Sequence, residues 1–258
     1  MKSYIYSGWA TDLADQKDYA GAIAKCQKAL ELNRKFGPAY DNWGKALDGK
    51  RDYDGAIAKY QHAIALEPRD AYAYNGWGLA LYGKQDYDGA IAKYQHAIAL
   101  DPKSAPAYNN WGRALYEKQD YDGAIVQYQQ AIALDPKSAF AYSNWGVALY
   151  DNQDYDGAIA KFQQALVLDP KSADTYIRWG GALDSKRDYD GAIAKYQQAI
   201  ALDPKFALAF DTWGDALMSK KDYTGAIAKY QQAIALDPKN ELFRDALEAA
   251  EAAKKKIK

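Results

Sequence analysis

The chain has 258 residues, a formal net charge of −1 and 26% charged residues, with no basic tract in its body. The positive stripe that nucleic-acid binding requires is therefore missing. One cysteine, Cys26, rules out an internal disulfide framework; no apolar run reaches the roughly 20 residues of a membrane span, and the start Met1-Lys2-Ser3-Tyr4 lacks an apolar signal core, so the expected compartment is cytoplasmic.

Tryptophan recurs every 34 residues, at Trp9, Trp43, Trp77, Trp111, Trp145, Trp179 and Trp213, and nowhere else. A period of this length marks one supersecondary unit stacked on copies of itself. The expected organisation is seven repeats, 3–36, 37–70, 71–104, 105–138, 139–172, 173–206 and 207–240, forming one solenoid domain, followed by a C-terminal capping helix, 241–258. The first repeat departs from the rest, with Ala10, Cys26 and Arg34 where the others carry glycine, an aromatic residue and proline.

Repeat 105–138 represents the body of the chain. Tyr108, Trp111, Gly112 and Leu115 fall on one side of a first helix. Ala124, Ile125, Tyr128, Ala131 and Ile132 give helical spacing in the second half. Between them Asp120 is placed to cap the second helix, Pro136 stops it, and Ser138 can cap the next. Each unit therefore reads as a helical hairpin. The glycine after each tryptophan, as at Gly44 and Gly78, sits mid-helix at a propensity cost of about 1 kcal/mol, which implies close helix approach. Each tryptophan reads as a core knob between hairpins. In the last segment Asn240 caps a helix whose Leu242, Phe243 and Leu247 can cover repeat 7 and whose Lys254, Lys255 and Lys256 complement its dipole.

These residues resemble the tetratricopeptide repeat family, whose pattern appears here as Tyr108-x2-Trp111-Gly112-x2-Leu115, Ala124-x3-Tyr128, Ala131 and Pro136. The aromatic and aliphatic slots are shuffled at similar total bulk. Glycine replaces the family's common glutamate one residue before Ala124 and its equivalents, removing a capping-box partner and weakening that first turn. The resemblance implies an all-α, right-handed superhelical α-solenoid of helix-turn-helix repeats. It also implies a protein–protein interaction scaffold whose first helices line a concave groove for a peptide or partner helix.

Tryptophan and the residues 4, 9, 10, 12, 13 and 14 after it never vary between copies, whereas the residue two after tryptophan differs in every one: Thr11, Lys45, Leu79, Arg113, Val147, Gly181 and Asp215. With offsets −5, −2 and +5 it forms a stripe about 130° from the packing stripe. The middle repeats place Tyr72, Asn75, Leu79, Tyr82, Asn109, Arg113, Tyr116, Phe140, Val147 and Tyr150 there, and repeats 6 and 7 place Asp174, Asp184, Asp211 and Asp215. The expected ligand has apolar anchors across repeats 3 to 5 and basic residues toward repeats 6 and 7, its backbone held by Asn75 and Asn109. Asn42, Asn110 and Asn144, directly before tryptophan, read equally as structural or as ligand contacts. Members of the resembled family that clamp a terminal carboxylate carry lysine at offset −2 and asparagine at offset +2; neither is present here, so such a clamp is not expected.

The chemistry of catalysis is not in evidence. Cys26 takes an aromatic packing slot, His62 and His96 share one offset on the outer side of the second helix, and the Asp18 to Asp222 ladder precedes each second helix. There is no phosphate loop, no nucleophile with its base and no metal-ligand spacing, so neither an enzyme nor a cofactor is expected. Two alternatives stand beside the scaffold. One is a structural array associating weakly end to end through repeat 1. The other is an engineered consensus-like array without a native ligand, although drift such as Val126 or Ile177-Arg178 reads more as tandem duplication.

Overall fold

The computed structural model describes residues 2–256, so Met1 and residues 257 and 258 of the capping segment lie outside them. It contains fifteen α-helices and no strand among the described residues. Two compact units divide the chain, Met1–Pro136 and Lys137–Lys258. Unit 1 holds α1 (Lys2–Asp15), α2 (Tyr19–Leu32), α3 (Gly37–Gly49), α4 (Tyr53–Leu66), α5 (Ala71–Gly83), α6 (Tyr87–Leu100), α7 (Ala105–Glu117) and α8 (Tyr121–Leu134). Unit 2 holds α9 (Ala139–Asp151), α10 (Tyr155–Leu168), α11 (Ala173–Ser185), α12 (Tyr189–Leu202), α13 (Ala207–Ser219), α14 (Tyr223–Leu236) and α15 (Glu241–Lys255). In each unit, consecutive helices pair as hairpins and first helices pack side by side, as α3 does on α1 and α5, and α11 on α9 and α13. The fold is an α-solenoid.

One aspartate makes each hairpin turn serve two helices. The carboxylate of Asp52 accepts from Gly55 N–H at 3.0 Å, capping α4. Its own N–H bonds back to the Leu47 carbonyl at 2.9 Å, while Arg51 N–H bonds to that of Asp48 at 2.8 Å, which closes the C-terminus of α3. Arg51 pays for the reversal with a φ of 62°, a left-handed conformation that side chains disfavour. Lys17, Gln85, Gln119, Gln153, Arg187 and Lys221 do the same with φ between 63° and 64°. The glycine expected to weaken the second helix is fitted to this cap. A Cβ on Gly55 would meet the Asp52 carboxylate at 2.5 Å, so the carboxylate would have to swing aside.

Within a hairpin the glycine after tryptophan receives an aromatic ring from the second helix. A Cβ on Gly44 would lie 2.8 Å from Tyr60, on Gly112 2.7 Å from Tyr128 and on Gly146 2.5 Å from Phe162. These rings, with Tyr94, Tyr196 and Tyr230, are fully buried among alanines. The tryptophans are not core knobs in that sense. Trp43, Trp77, Trp111 and Trp213 flank the buried core of the preceding hairpin while remaining half-buried. A lysine ammonium covers the outer ring face, 4.0 Å from the centroid for Lys59 on Trp43 and 3.7 Å for Lys195 on Trp179. The physical reason is size: only glycine and alanine positions allow helices to approach closely, and the indole is left at the seam.

The ends follow suit. On α1, Tyr4, Ile5 and Trp9 are exposed, Trp9 by 49%. On α15, Phe243 and Ala250 are buried against α14 and Leu247 is half-buried, but Leu242 stays exposed rather than covering repeat 7.

Candidate functional site

First helices lie side by side, so each can present one face to the second helices and another away from them. The four offsets of the varying stripe fare differently. Offset −2 is drawn into the seam between neighbouring first helices: Ser7, Asp41, Asn109 and Ile177 are buried. Side-chain amides at offset −1 close the seam at two junctions of unit 1. Asn42 donates to the Ser7 carbonyl and hydroxyl at 3.0 and 2.9 Å, and Asn110 donates to Asn75 Oδ1 at 3.1 Å. The acceptor of Asn75 is therefore engaged within the fold, and Asn109 is only 8% exposed. Offsets −5, +2 and +5 remain as the accessible surface.

In unit 1 that surface carries Tyr72, 51% exposed, with Lys45, Leu79, Tyr82, Arg113 and Tyr116 half-exposed. Tyr82 is held from three sides. Its hydroxyl donates to Glu117 Oε1 at 2.8 Å, the Arg113 guanidinium lies 4.7 Å over its ring, and the ring meets Tyr87 edge-on at 5.5 Å. Lys45 pairs with Asp15 at 2.7 Å. Cations therefore sit on the face of unit 1, a signal visible in Lys45 and Arg113 but outweighed in the sequence by the aromatic residues around them.

Beneath this face lies Asp41, 5% exposed. Burial raises its carboxyl to about 8, and the neighbouring Asp70 and Glu67 add to the effect. At neutral pH it is a protonated acid that bonds to the Asp70 side chain, which itself caps α5 through Ala73 N–H at 3.0 Å. Burial likewise raises Asp48.

In unit 2 the face carries Phe140, 58% exposed, with Val147 and Tyr150 half-exposed, then the aspartates. The hydroxyls of Tyr150 and Ser185 lie 3.1 Å apart. Asp174 is drawn to Arg178 of its own helix at 2.5 Å. Asp184, Asp211 and Asp215 form a group. Burial, then the charge of Asp215, raises Asp211 to about 6, and the same two causes raise Asp184. Tyr230 reaches this face from the second helix and donates to Asp215 Oδ1 at 2.7 Å. Gly181 adds open space, since a Cβ there would touch nothing within 4 Å. Carboxylates thus outnumber cations on this face.

Elsewhere, Cys26 is buried and its thiol is pushed up to about 12 by burial, an unreactive state. His62 and His96 stack on Tyr40 and Tyr74. No group of three or more His, Cys, Asp or Glu among the described residues could hold a metal ion. Among the described residues no helix is long and apolar enough to cross a membrane.

Residues 42–105 match a family model described as tetratricopeptide repeat, and residues 139–172 and 173–206 match a second with the same description. Residues 112–153 and 214–247 match a model described as TPR repeat. No curated protein matches the chain by sequence. Among solved structures, the APC/C hetero-tetramer Cut9-Hcn1 shares 20% identity at a TM-score of 0.79, the alignment covering 95% of this chain and 48% of that one. The chain thus spans about half the length of that relative. MamA shares 28% identity at a TM-score of 0.58, covering 63% of this chain and 95% of its own. YrrB, described as a TPR protein with an unusual peptide-binding site, shares 24% identity at a TM-score of 0.57, covering 76% and 97%.

Proposed function

The chain belongs to the tetratricopeptide repeat family, and from that footing we propose that the open first-helix face of each unit is a peptide-binding surface. At the coarser level the protein is an interaction scaffold for protein or peptide partners. The observation that carries the finer reading is the exposure of Tyr72 and Phe140 on the first-helix face. Large aromatic groups left on such a face mark contact sites. Tyr82 supports it further, since a ring already fixed by Glu117 and Arg113 loses little freedom on binding.

The two units favour different partner chemistry. Unit 1 offers Tyr72, Leu79, Tyr82 and Tyr116 beside Arg113, which suits apolar anchors flanked by acidic groups. Unit 2 offers Phe140, Val147 and Tyr150, then Asp184, Asp211 and Asp215, which suits apolar anchors followed by lysine or arginine. Opposite charge would speed encounter and fix register more than it raises affinity.

Affinity capture from lysate, comparing the wild type with the combined Tyr82→Ala, Tyr116→Ala and Tyr150→Ala variant, tests the surface. Partner recovery should fall sharply; undiminished capture by a folded variant would sink the reading. A second reading, self-association, is favoured by exposed Tyr4, Ile5 and Trp9 on α1. A mass that stays monomeric across a concentration series removes it.

A further inference from the structure

At two junctions of unit 1, α1–α3 and α5–α7, the seam between first helices is closed by an amide from the position before tryptophan. Asn42 donates to Ser7, and Asn110 to Asn75. At the α3–α5 junction of unit 1 that position is Gly76, lying against the Tyr60 ring, and at the α9–α11 junction of unit 2 the amide is again replaced. Arg178 stands at that position on α11 and turns back along its own helix, its Nε donating to Asp174 Oδ2 at 2.5 Å. The seam residue on α9 that lines the same space is Ser143, the counterpart of Ser7. A cavity of about 180 Å³ opens at this place, its lining including Phe140, Ser143, Asp169, Asp174, Thr175 and Arg178. The next junction needs no such closure. Its seam residue is the apolar, buried Ile177, and Thr212 bonds to its own helix at Leu208.

We propose that this cavity binds a carboxamide, taking the side chain of an asparagine or glutamine from a partner protein. It rests on the reading of the first-helix face as a binding surface. The chain's own repeats supply the template. Where an amide occupies the equivalent place, it donates to a serine of the same offset. An incoming amide would donate to Ser143 and accept from the N–H groups of Arg178 that Asp174 does not hold, using both halves of its donor and acceptor pair. The exposed ring of Phe140 flanks the entrance and would cover the aliphatic stem. A carboxylate fits less well, because Asp169 and Asp174 already line the wall and only Arg178 opposes them. Thr175 does not compete for the ligand, since its hydroxyl lies 2.8 Å from that of Ser172.

The experiment is a titration of the full chain followed in amide correlation spectra. The probe is N-acetylglutamine methylamide, and N-acetylmethionine methylamide is a control of similar shape without the side-chain amide. The glutamine probe should move the signals of Phe140, Ser143 and Arg178 saturably, with a dissociation constant on the order of 1 mM for so small a ligand. Arg178→Asn rebuilds the internal stitch and should abolish the response. Ser143→Ala removes the hydroxyl and should weaken binding about tenfold, the scale of one buried hydrogen bond. Should Arg178→Asn not fold, Ser143→Ala decides the matter. Absence of saturable shifts, equal shifts with the methionine control, or undiminished binding by the folded variants overturns the proposal. Failure of the broader reading is seen separately, as partner capture indifferent to the triple tyrosine variant, because the titration reports only the cavity.

Discussion

Repeat 1 exchanges both members of the pair that closes every other hairpin. Ala10 and Cys26, each fully buried, stand where glycine and an aromatic ring stand elsewhere. The exchange is compensating in direction: a methyl group is gained on one helix and a larger group, the ring, is lost from the other. The added methyl alone does not fit the geometry of the remaining repeats, where a Cβ on Gly44 would lie 2.8 Å from the Tyr60 ring. Cys26→Tyr against Ala10 should therefore destabilise by about 1–3 kcal/mol through overpacking. Ala10→Gly against Cys26 should cost roughly 1 kcal/mol in helix propensity, with a small void added. The double variant should recover much of the loss, giving a coupling of about 1–2 kcal/mol in urea unfolding of all four proteins. Strictly additive effects would show that the two positions do not form one packing unit.

At the scale of the helix and its turn, part of the design was legible and part was not. The 34-residue period, the hairpin, the aspartate caps and the small-against-large pairing all follow from residues that recur at fixed offsets. The left-handed turn residue does not. Its seven occupants are lysine, arginine or glutamine, and none carries the glycine or asparagine signal by which such a conformation is recognised. The burial of offset −2 was hidden for a related reason: Asp41, Asn75 and Asn109 read as surface residues, and only the spacing of neighbouring first helices makes them seam residues. The ladder joining Lys84 to Asp54, Lys118 to Asp88, Lys186 to Asp156 and Lys220 to Asp190 was equally invisible, since both charges repeat and the sequence does not say which copies meet. The turn offers a direct test. Replacing Gln85, at φ 64°, by glycine removes the Cβ that disfavours this conformation and should stabilise by roughly 0.5–1 kcal/mol, although a freer unfolded chain returns some of it. A melting temperature that falls would mean the glutamine side chain contributes a contact larger than the backbone strain.

Over the whole molecule, a repeat array distributes stability among neighbouring contacts, so a titrating group should loosen its own junction rather than the entire chain. Asp41 is such a group in unit 1. The charged and titratable groups around it are Asp70 at the cap of α5, Glu67 at the end of α4, Lys45 and Asp48 on its own helix, and Tyr60 and Tyr72 from α4 and α5. Its carboxyl titrates at about 8 in the folded chain, against about 3.9 when unfolded. Because the folded value is the higher, folding is favoured while the acid is protonated. That advantage is complete below about pH 4 and is lost as pH rises toward 8, at a limiting rate of about 1.4 kcal/mol per pH unit. Asp211 in unit 2 follows the same sign but titrates at about 6, so its loss levels off earlier. Between pH 6 and pH 8, hydrogen exchange corrected for its intrinsic rate should show protection falling in α3 to α5 and holding nearly constant in α11 to α13. Asp41→Asn keeps a donor toward Asp70 and cannot ionise, so it should remove the fall in unit 1 and leave unit 2 unchanged. Equal loosening of both units, or a wild type and variant that track each other across this range, would show that the buried acid pair does not govern the junction.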